Sequence, residues 1–153
     1  MTFTYEYESN SNDTIISKAT GSGHANIPSN VTSIGQFAFV RCYGLTSIIL
    51  PKGLISIEDW AFNDCSGLTS ITLPECLISI GARAFCWCSG LTSITFPKGL
   101  ISIGCFGFSC CENLTSLTFQ GVLPSIDRYA FHRVPGSQGI KKQIRNNKIK
   151  KCI

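Results

Sequence analysis

Residues 57–74 read IEDWAFNDCSGLTSITLP and residues 80–97 read IGARAFCWCSGLTSITFP, so the second line is the first moved 23 places along the chain. The step extends in both directions. It joins Pro28, Pro51, Pro74 and Pro97; Ile34, Ile57, Ile80, Ile103 and Ile126; and Phe39, Phe62, Phe85, Phe108 and Phe131. It also joins Cys42, Cys65, Cys88 and Cys111, then Leu45, Leu68, Leu91 and Leu114, with no insertion between Pro28 and Phe119. A fixed period that keeps its apolar positions and frees its polar ones is how a solenoid is written, because each unit buries its apolar face only against its neighbours. At 153 residues the chain has room for about five such rungs.

Each unit divides into two arms. From Leu68 to Pro74 the alternation points Ile71 and Leu73 inward and Ser70 and Thr72 outward, as in a strand with one covered face. Pro74 lacks an amide proton and ends the ladder where the chain must turn. The other arm, Leu54 to Cys65, places Leu54, Ile57, Ala61, Phe62 and Cys65 at spacings too long for one strand and too short for a full helix. It predicts an extended piece around Ile55 to Ile57, then one tight helical turn near Trp60 to Asn63. The phenylalanine file should stack along the solenoid axis. Ala61 is small because turning backbone packs closely there, and Gly107 holds that place in one rung.

The ends differ from the middle. Phe3, Tyr5 and Tyr7 alternate with Thr4, Glu6 and Glu8, which predicts a half-buried strand; Ser9 to Asp13 is a turn cluster. Thr14 to Ala19 reads as a second strand pairing back as a hairpin. At the far end, Gly121 to Phe131 keeps Leu123, Ile126, Ala130 and Phe131, but Gln120 replaces the proline and Val134 stands where the next cysteine would fall. Pro135, Gly136 and Ser137 then break the pattern, and Gln138 to Asn147 is expected to form one short helix with Ile140 and Ile144 on one side. The expected organisation is an N-terminal β cap over 1–26 and a repeat solenoid over 27–134, with units starting at 28, 51, 74 and 97 and a partial one at 120. A C-terminal cap with a basic tail follows over 135–153.

With 44% hydrophobic and 14% charged residues, the composition is that of a folded domain. No apolar run is long enough to span a membrane. The formal net charge of +4 is a property of the tail: Ile140 to Ile153 carries six bases and no acid, which leaves seven bases against nine acids elsewhere. Met1 to Asn10 has neither the basic start nor the apolar run of a secretory signal. The expected location therefore stays open between the cytoplasm and export by a leader outside this sequence. Nine cysteines raise the idea of a disulfide scaffold. Four of them share one file, however, and thiols at equivalent points of parallel strands about 4.8 Å apart point the same way instead of converging. That file reads as small buried hydrophobes.

Catalysis has little to stand on. The two histidines, His24 and His132, sit in no Ser/His/Asp or Cys/His arrangement, and no nucleophile elbow, zinc-protease, phosphate-loop or dinucleotide motif occurs. Glu58, Asp59 and Asp64 fall in one unit and read as a solvated edge. Cys86, Cys88, Cys110 and Cys111 offer four thiolates of the kind zinc takes, but Cys88 and Cys111 belong to the inward file. No enzyme, metal or cofactor is expected. The tail has no aromatic interleaving, so a solubilising end is preferred to contact with nucleic acid or an acidic membrane surface. Cys152, second from the end, makes no prenylation box.

The unit Ile-x-x-x-Ala-Phe-x-x-Cys-x-x-Leu-x-x-Ile-x-Leu-Pro is met at Ile57, Ala61, Phe62, Cys65, Leu68, Ile71, Leu73 and Pro74, and again 23 residues on. It resembles the BspA-like class of leucine-rich repeat, over roughly Ile27 to Phe131, with departures at Gly107 and in the last unit. The resemblance implies a repeat solenoid, mostly β with short helical turns: a single curved right-handed coil of about four to five rungs with an N-terminal β-hairpin cap. It also implies that the stacked main strands line a curved, concave face suited to protein recognition. If the chain is exported, it implies surface display and adhesion to host matrix proteins or other cells. An intracellular scaffold or effector using the same face is the alternative. The candidate partner-binding residues are the outward files Ser47, Ser70, Ser93 and Ser116, then Ile49, Thr72, Thr95 and Thr118, with Glu75 and Lys98 just beyond the strands. No small-molecule substrate is expected. A different alternative has the hydroxyl files ordering water, as ice-binding solenoids do; Ile49 interrupts the file and the expected curvature argues against it.

Overall fold

The computed structural model describes residues 2–10 and 12–140. The chain winds as a β-solenoid of about five turns, and each turn contributes one short strand to each of two faces. On one face the hairpin β1 (Thr4–Ser9) and β2 (Thr14–Thr20) leads into β4 (Ser33–Ile34), β6 (Ser56–Ile57), β8 (Ser79–Ile80), β10 (Ser102–Ile103) and β12 (Ser125–Ile126). These seven form one sheet in the order β1-β2-β4-β6-β8-β10-β12. Two-residue strands persist because each Ser–Ile pair meets its own copy a rung away: Ser56 opposes Ser79 and Ile57 opposes Ile80. The other face carries the main strands β3 (Gly23–Asn26), β5 (Leu45–Ile49), β7 (Ser70–Ile71), β9 (Ser93–Phe96) and β11 (Ser116–Phe119). Here β3-β5-β7 and β9-β11 are separate sheets.

The winding begins before the first full repeat. β2 pairs parallel with β4, placing Ile16 opposite Ile34, and β3 pairs parallel with β5, placing Ala25 opposite Ile48. Ile16 and Ala25 are buried. Only β1 is antiparallel to its neighbour. It brings Phe3 and Tyr5 to 5.9 and 6.3 Å from the Phe39 ring, which closes the open end of the core. The predicted hairpin cap is present and continuous with the sheet it protects.

The second arm turns as expected, though without a helix. Trp60 and Asp64 both have φ of 61°, and Phe37/Arg41, Arg83/Trp87 and Phe106/Cys110 repeat the pair in other rungs. A left-handed residue at every fourth position prevents a right-handed helix from propagating. What the geometry achieves is an alternation of hydrogen bonds. The amides of Trp60, Phe62 and Asp64 donate to the carbonyls of Ala82, Ala84 and Cys86 in the next rung, at 2.9, 2.7 and 2.8 Å. Those of Ala61, Asn63 and Cys65 donate to Glu58, Trp60 and Phe62 within the rung, at 3.3, 3.1 and 3.2 Å. A buried turn must satisfy its backbone donors, and this one does so residue by residue.

The core is a column. Phe39, Phe62, Phe85, Phe108 and Phe131 stack with centroid spacings of 4.8, 5.1, 4.9 and 5.5 Å. Phe96 meets Phe108 edge-on at 5.4 Å and stacks on Phe119 at 4.6 Å. Beside the column, Cys65, Cys88 and Cys111 are free and fully buried. Each Sγ donates to a carbonyl in the preceding rung, of Phe39, Phe62 and Phe85, at 3.0, 3.1 and 3.1 Å. Over these three the cysteine file is a packing ladder, as predicted, and a hydrogen-bonding one as well, while Cys42 at its start is only half-buried. Burial pushes all three thiols far above the ordinary range. Val134 is buried at the next place in the file, and a 3-10 turn (Pro135–Ser137) follows, with the Gly136 amide donating to Leu114 at 2.9 Å. Residues 138–140 are helical. The remainder of the helix expected as far as Asn147, and the basic tail, lie outside the described residues. Among the described residues no helix is long and apolar enough to cross a membrane.

Candidate partner-binding faces

Main-strand register decides how the predicted files stand. Ser47 opposes Ser70, Ser116 opposes Ser93, and Thr118 opposes Thr95. Ser70, Thr72, Glu75, Ser93, Thr95, Lys98, Ser116 and Thr118 are all exposed, Ser47 is half-buried, and Ile49 keeps 55% of its surface in solvent. The flanking threonines bridge rungs: Thr69 and Thr115 hydroxyls donate to the carbonyls of Thr46 and Thr92 at 3.2 and 3.4 Å. Ser47, Ile49, Ser70, Ser93, Thr95, Ser116 and Thr118 thus lie on the main strands, interrupted between β7 and β9 where the sheet divides, while Thr72, Glu75 and Lys98 lie just beyond strand ends.

The file gains a member one 23-residue step before Ser47, where histidine stands in place of serine. His24 opposes Ser47, and its Nδ1 lies 2.6 Å from Ser47 Oγ. A Ser–His contact is one part of a hydrolytic site. The acid that would orient the imidazole is not among the described hydrogen-bond partners of His24, and the pair stands on an open strand face.

A second surface was not anticipated. Phe37, Trp60, Arg83, Phe106 and Tyr129 lie one step apart and form a continuous outer ladder. Phe37 stacks near Trp60 at 6.0 Å; the Arg83 guanidinium sits 4.6 Å from the Trp60 centroid and 5.1 Å from that of Phe106; Phe106 stacks on Tyr129 at 5.2 Å. The guanidinium takes the place of one ring, because a planar cation stacks on aromatic faces as a ring does. Trp60, Arg83 and Phe106 of the ladder wall a groove of about 1190 Å³ that runs across the rungs beside the seven-stranded sheet. Glu58, Asp59 and Asp127 line it, with Gly81 and Gly104 between them. Glu58 is held by Ser33 Oγ at 3.3 Å and the Gln36 amide at 3.2 Å; Asp59 accepts the Ala82 amide at 2.7 Å.

On the ladder's other side a groove of about 540 Å³ holds Arg41, Asp64, Trp87, Cys86 and Cys110. Burial, with Cys110 nearby, raises the Cys86 thiol to about 11. The four cysteines weighed for zinc are therefore divided: Cys86 and Cys110 border this groove, while Cys88 and Cys111 face the core. No metal-binding group of three or more ligands occurs among the described residues.

The model of the BspA-type leucine-rich repeat region matches residues 18–138, with six copies. No curated protein matches the chain. Among solved structures, a leucine-rich repeat protein from Bacteroides ovatus is 26% identical with a TM-score of 0.69, over 83% of this chain and 41% of that one. A leucine-rich cell surface protein from Faecalibacterium prausnitzii is 27% identical with a TM-score of 0.64, over 84% of this chain and 44% of that one. A leucine-rich repeat protein from Bacteroides capillosus is 28% identical with a TM-score of 0.67, over 76% of this chain and 94% of that one. The chain spans less than half the length of the first two.

Proposed function

The chain belongs to the BspA-type leucine-rich repeat family, and from that premise we propose that it is an adhesion-type interaction module that binds a protein partner through the Ser/Thr-lined main-strand face. Members of the family generally serve protein–protein interaction or adhesion, and are typically not enzymes. The observation that carries the reading is the register of the exposed hydroxyls: Ser93 with Ser116, Thr95 with Thr118, Ser47 with Ser70. Within each sheet parallel pairing occupies the facing backbone groups of these strands, so recognition on the paired face falls to side chains. Each hydroxyl both donates and accepts, and Glu75 and Lys98 add opposite charges at the border. Likeness to a bacterial cell surface protein supports display outside the cell.

A crosslinking pull-down comparing the parent with a Thr72→Lys, Thr95→Lys double variant tests this. Both substitutions are exposed and leave the core untouched, so the variant should fold with an unchanged circular dichroism spectrum and lose the parent's specific catch. Identical catches would remove the strand face from the reading.

A further inference from the structure

We propose that the groove beside the seven-stranded sheet is a second recognition site, which takes one extended, basic peptide segment of a partner protein. Its floor carries one residue per rung at the same repeat position: Glu58, Gly81, Gly104 and Asp127. Acids stand at the two ends of this file; in the middle the Asp59 carboxylate, bonded to the Ala82 amide, lies against Gly81, and Arg83 two residues on brings the opposite charge. Parallel strands lie about 4.8 Å apart, so three rungs separate the acids by about 14 Å. An extended peptide advances about 3.4 Å per residue and shows alternate side chains to one face. Basic residues at positions i and i+4 therefore face both carboxylates together, with residue i+2 over the two glycines.

The walls fit such a segment. Ile101 lines one side and is 63% exposed; Ile78 and Ile55, one and two steps earlier and also exposed, lie outside the lining. On the other side the aromatic–arginine ladder presents ring edges, because its faces are taken up by stacking within the ladder. That arrangement makes a wall and not a platform for sugars or bases, which need open ring faces. The groove keeps an acidic excess: Glu58, Asp59 and Asp127 line it against one cation, Arg83, which is stacked between two rings, and among the described residues none of the three acids is in an ion pair. Hydrogen bonds from Ser33 and Gln36 fix the Glu58 carboxylate in place before any ligand arrives.

The test uses the fluorescein-labelled heptapeptide SKSVSKS, with fluorescence anisotropy at low ionic strength. It is run on the full chain and on a full chain whose six tail bases are replaced by glutamine, which removes the chain's own basic stretch as a competitor. Saturable binding to at least one chain is expected, weakening as salt is added. The spacing isomer SKSKSVS should bind about threefold more weakly, and Glu58→Gln or Asp127→Asn should each weaken SKSVSKS by about threefold, in the range of exposed ion pairs. Thr72→Lys with Thr95→Lys should leave peptide binding unchanged, so failure of this groove and failure of the strand face give different results. Equal affinity for the two spacing isomers, no effect of the two carboxylate substitutions combined, or no binding to either chain would overturn the proposal.

Discussion

Replacing Phe85 by alanine removes the middle of the ring column. Phe85 is fully buried and stacked between Phe62 at 5.1 Å and Phe108 at 4.9 Å. Losing the transfer free energy of the ring costs roughly 1.5–3 kcal/mol, and two aromatic contacts add about 0.5–1.5 kcal/mol each. The cavity cannot collapse easily, since the rungs on both sides are fixed by backbone hydrogen bonds to one another, such as Phe62 to Ala84 at 2.7 Å. The cost should therefore sit near the top of the range for Phe→Ala in a core, about 4–5 kcal/mol. For a chain of this size that corresponds to a fall in Tm of about 10–15 °C. Thermal unfolding by circular dichroism reads the shift. Hydrogen exchange should show the loss spreading to the rungs on either side, because each rung is stabilised chiefly by its neighbours. An unchanged melting curve, or lost protection confined to the substituted rung, would refute the column as the unit of stability.

Two further predictions concern the ladder and the turns. Burial raises the thiols of Cys65, Cys88 and Cys111 above the ordinary thiol range near 9.0, so well below pH 9 they are protonated in folded and unfolded chains alike and the stability they contribute is intact. Above pH 9 the unfolded thiols ionise first, and at pH 10 each should have cost about 1.4 kcal/mol, or about 4 kcal/mol for the three. Urea midpoints between pH 8 and 10 should fall accordingly, and a flat profile would contradict the burial. Separately, a Cβ on Gly90 would lie 2.6 Å from the Ser66 carbonyl oxygen and 2.8 Å from that of Leu68, both backbone, whereas one on Gly53 meets nothing within 4 Å. Gly90→Ala should destabilise by about 2–3 kcal/mol and Gly53→Ala by less than about 0.5 kcal/mol; equal urea midpoints would show that the rungs do not pack as closely as described.

What the sequence made legible was whatever packing repeats. The phenylalanine column, the cysteine ladder and the outward Ser/Thr files all follow from apolar and polar choices made at one fixed step. The turn conformation was not legible. Trp60, Arg83 and Trp87 are not residues that favour a left-handed backbone, and hydrogen bonds from their amides to the next rung hold them there against their own preference. The start of the winding was hidden on the seven-stranded face, where Ile16 and Ile34 are 18 residues apart, although the main-strand face already keeps the step of 23 from His24 to Ser47. The outer ladder did leave a signal, four aromatics at one repeat position, but Arg83 among them conceals it from any search for apolar periodicity. The groove depended on a different kind of information. Its lining depends on Gly81 and Gly104, each packed against the backbone of the preceding rung, standing where Glu58 and Asp127 stand in other rungs, a variation that a reading for sameness passes over.

The alternation of amide donors in the turns bears on how such a chain changes length. Between Trp60 and Cys65, odd and even residues have different obligations, one set to the next rung and one to their own. A single inserted residue would exchange the two sets, leaving every later donor in that turn aimed at the wrong carbonyl. Side chains there can drift, as Ala61, Ala84 and Gly107 illustrate, but the count cannot. Duplication or loss of 23 residues at once preserves every pairing. The rung is thus the smallest piece that heredity can copy or delete without unmaking the coil, and the length of the array is free to vary only in whole turns.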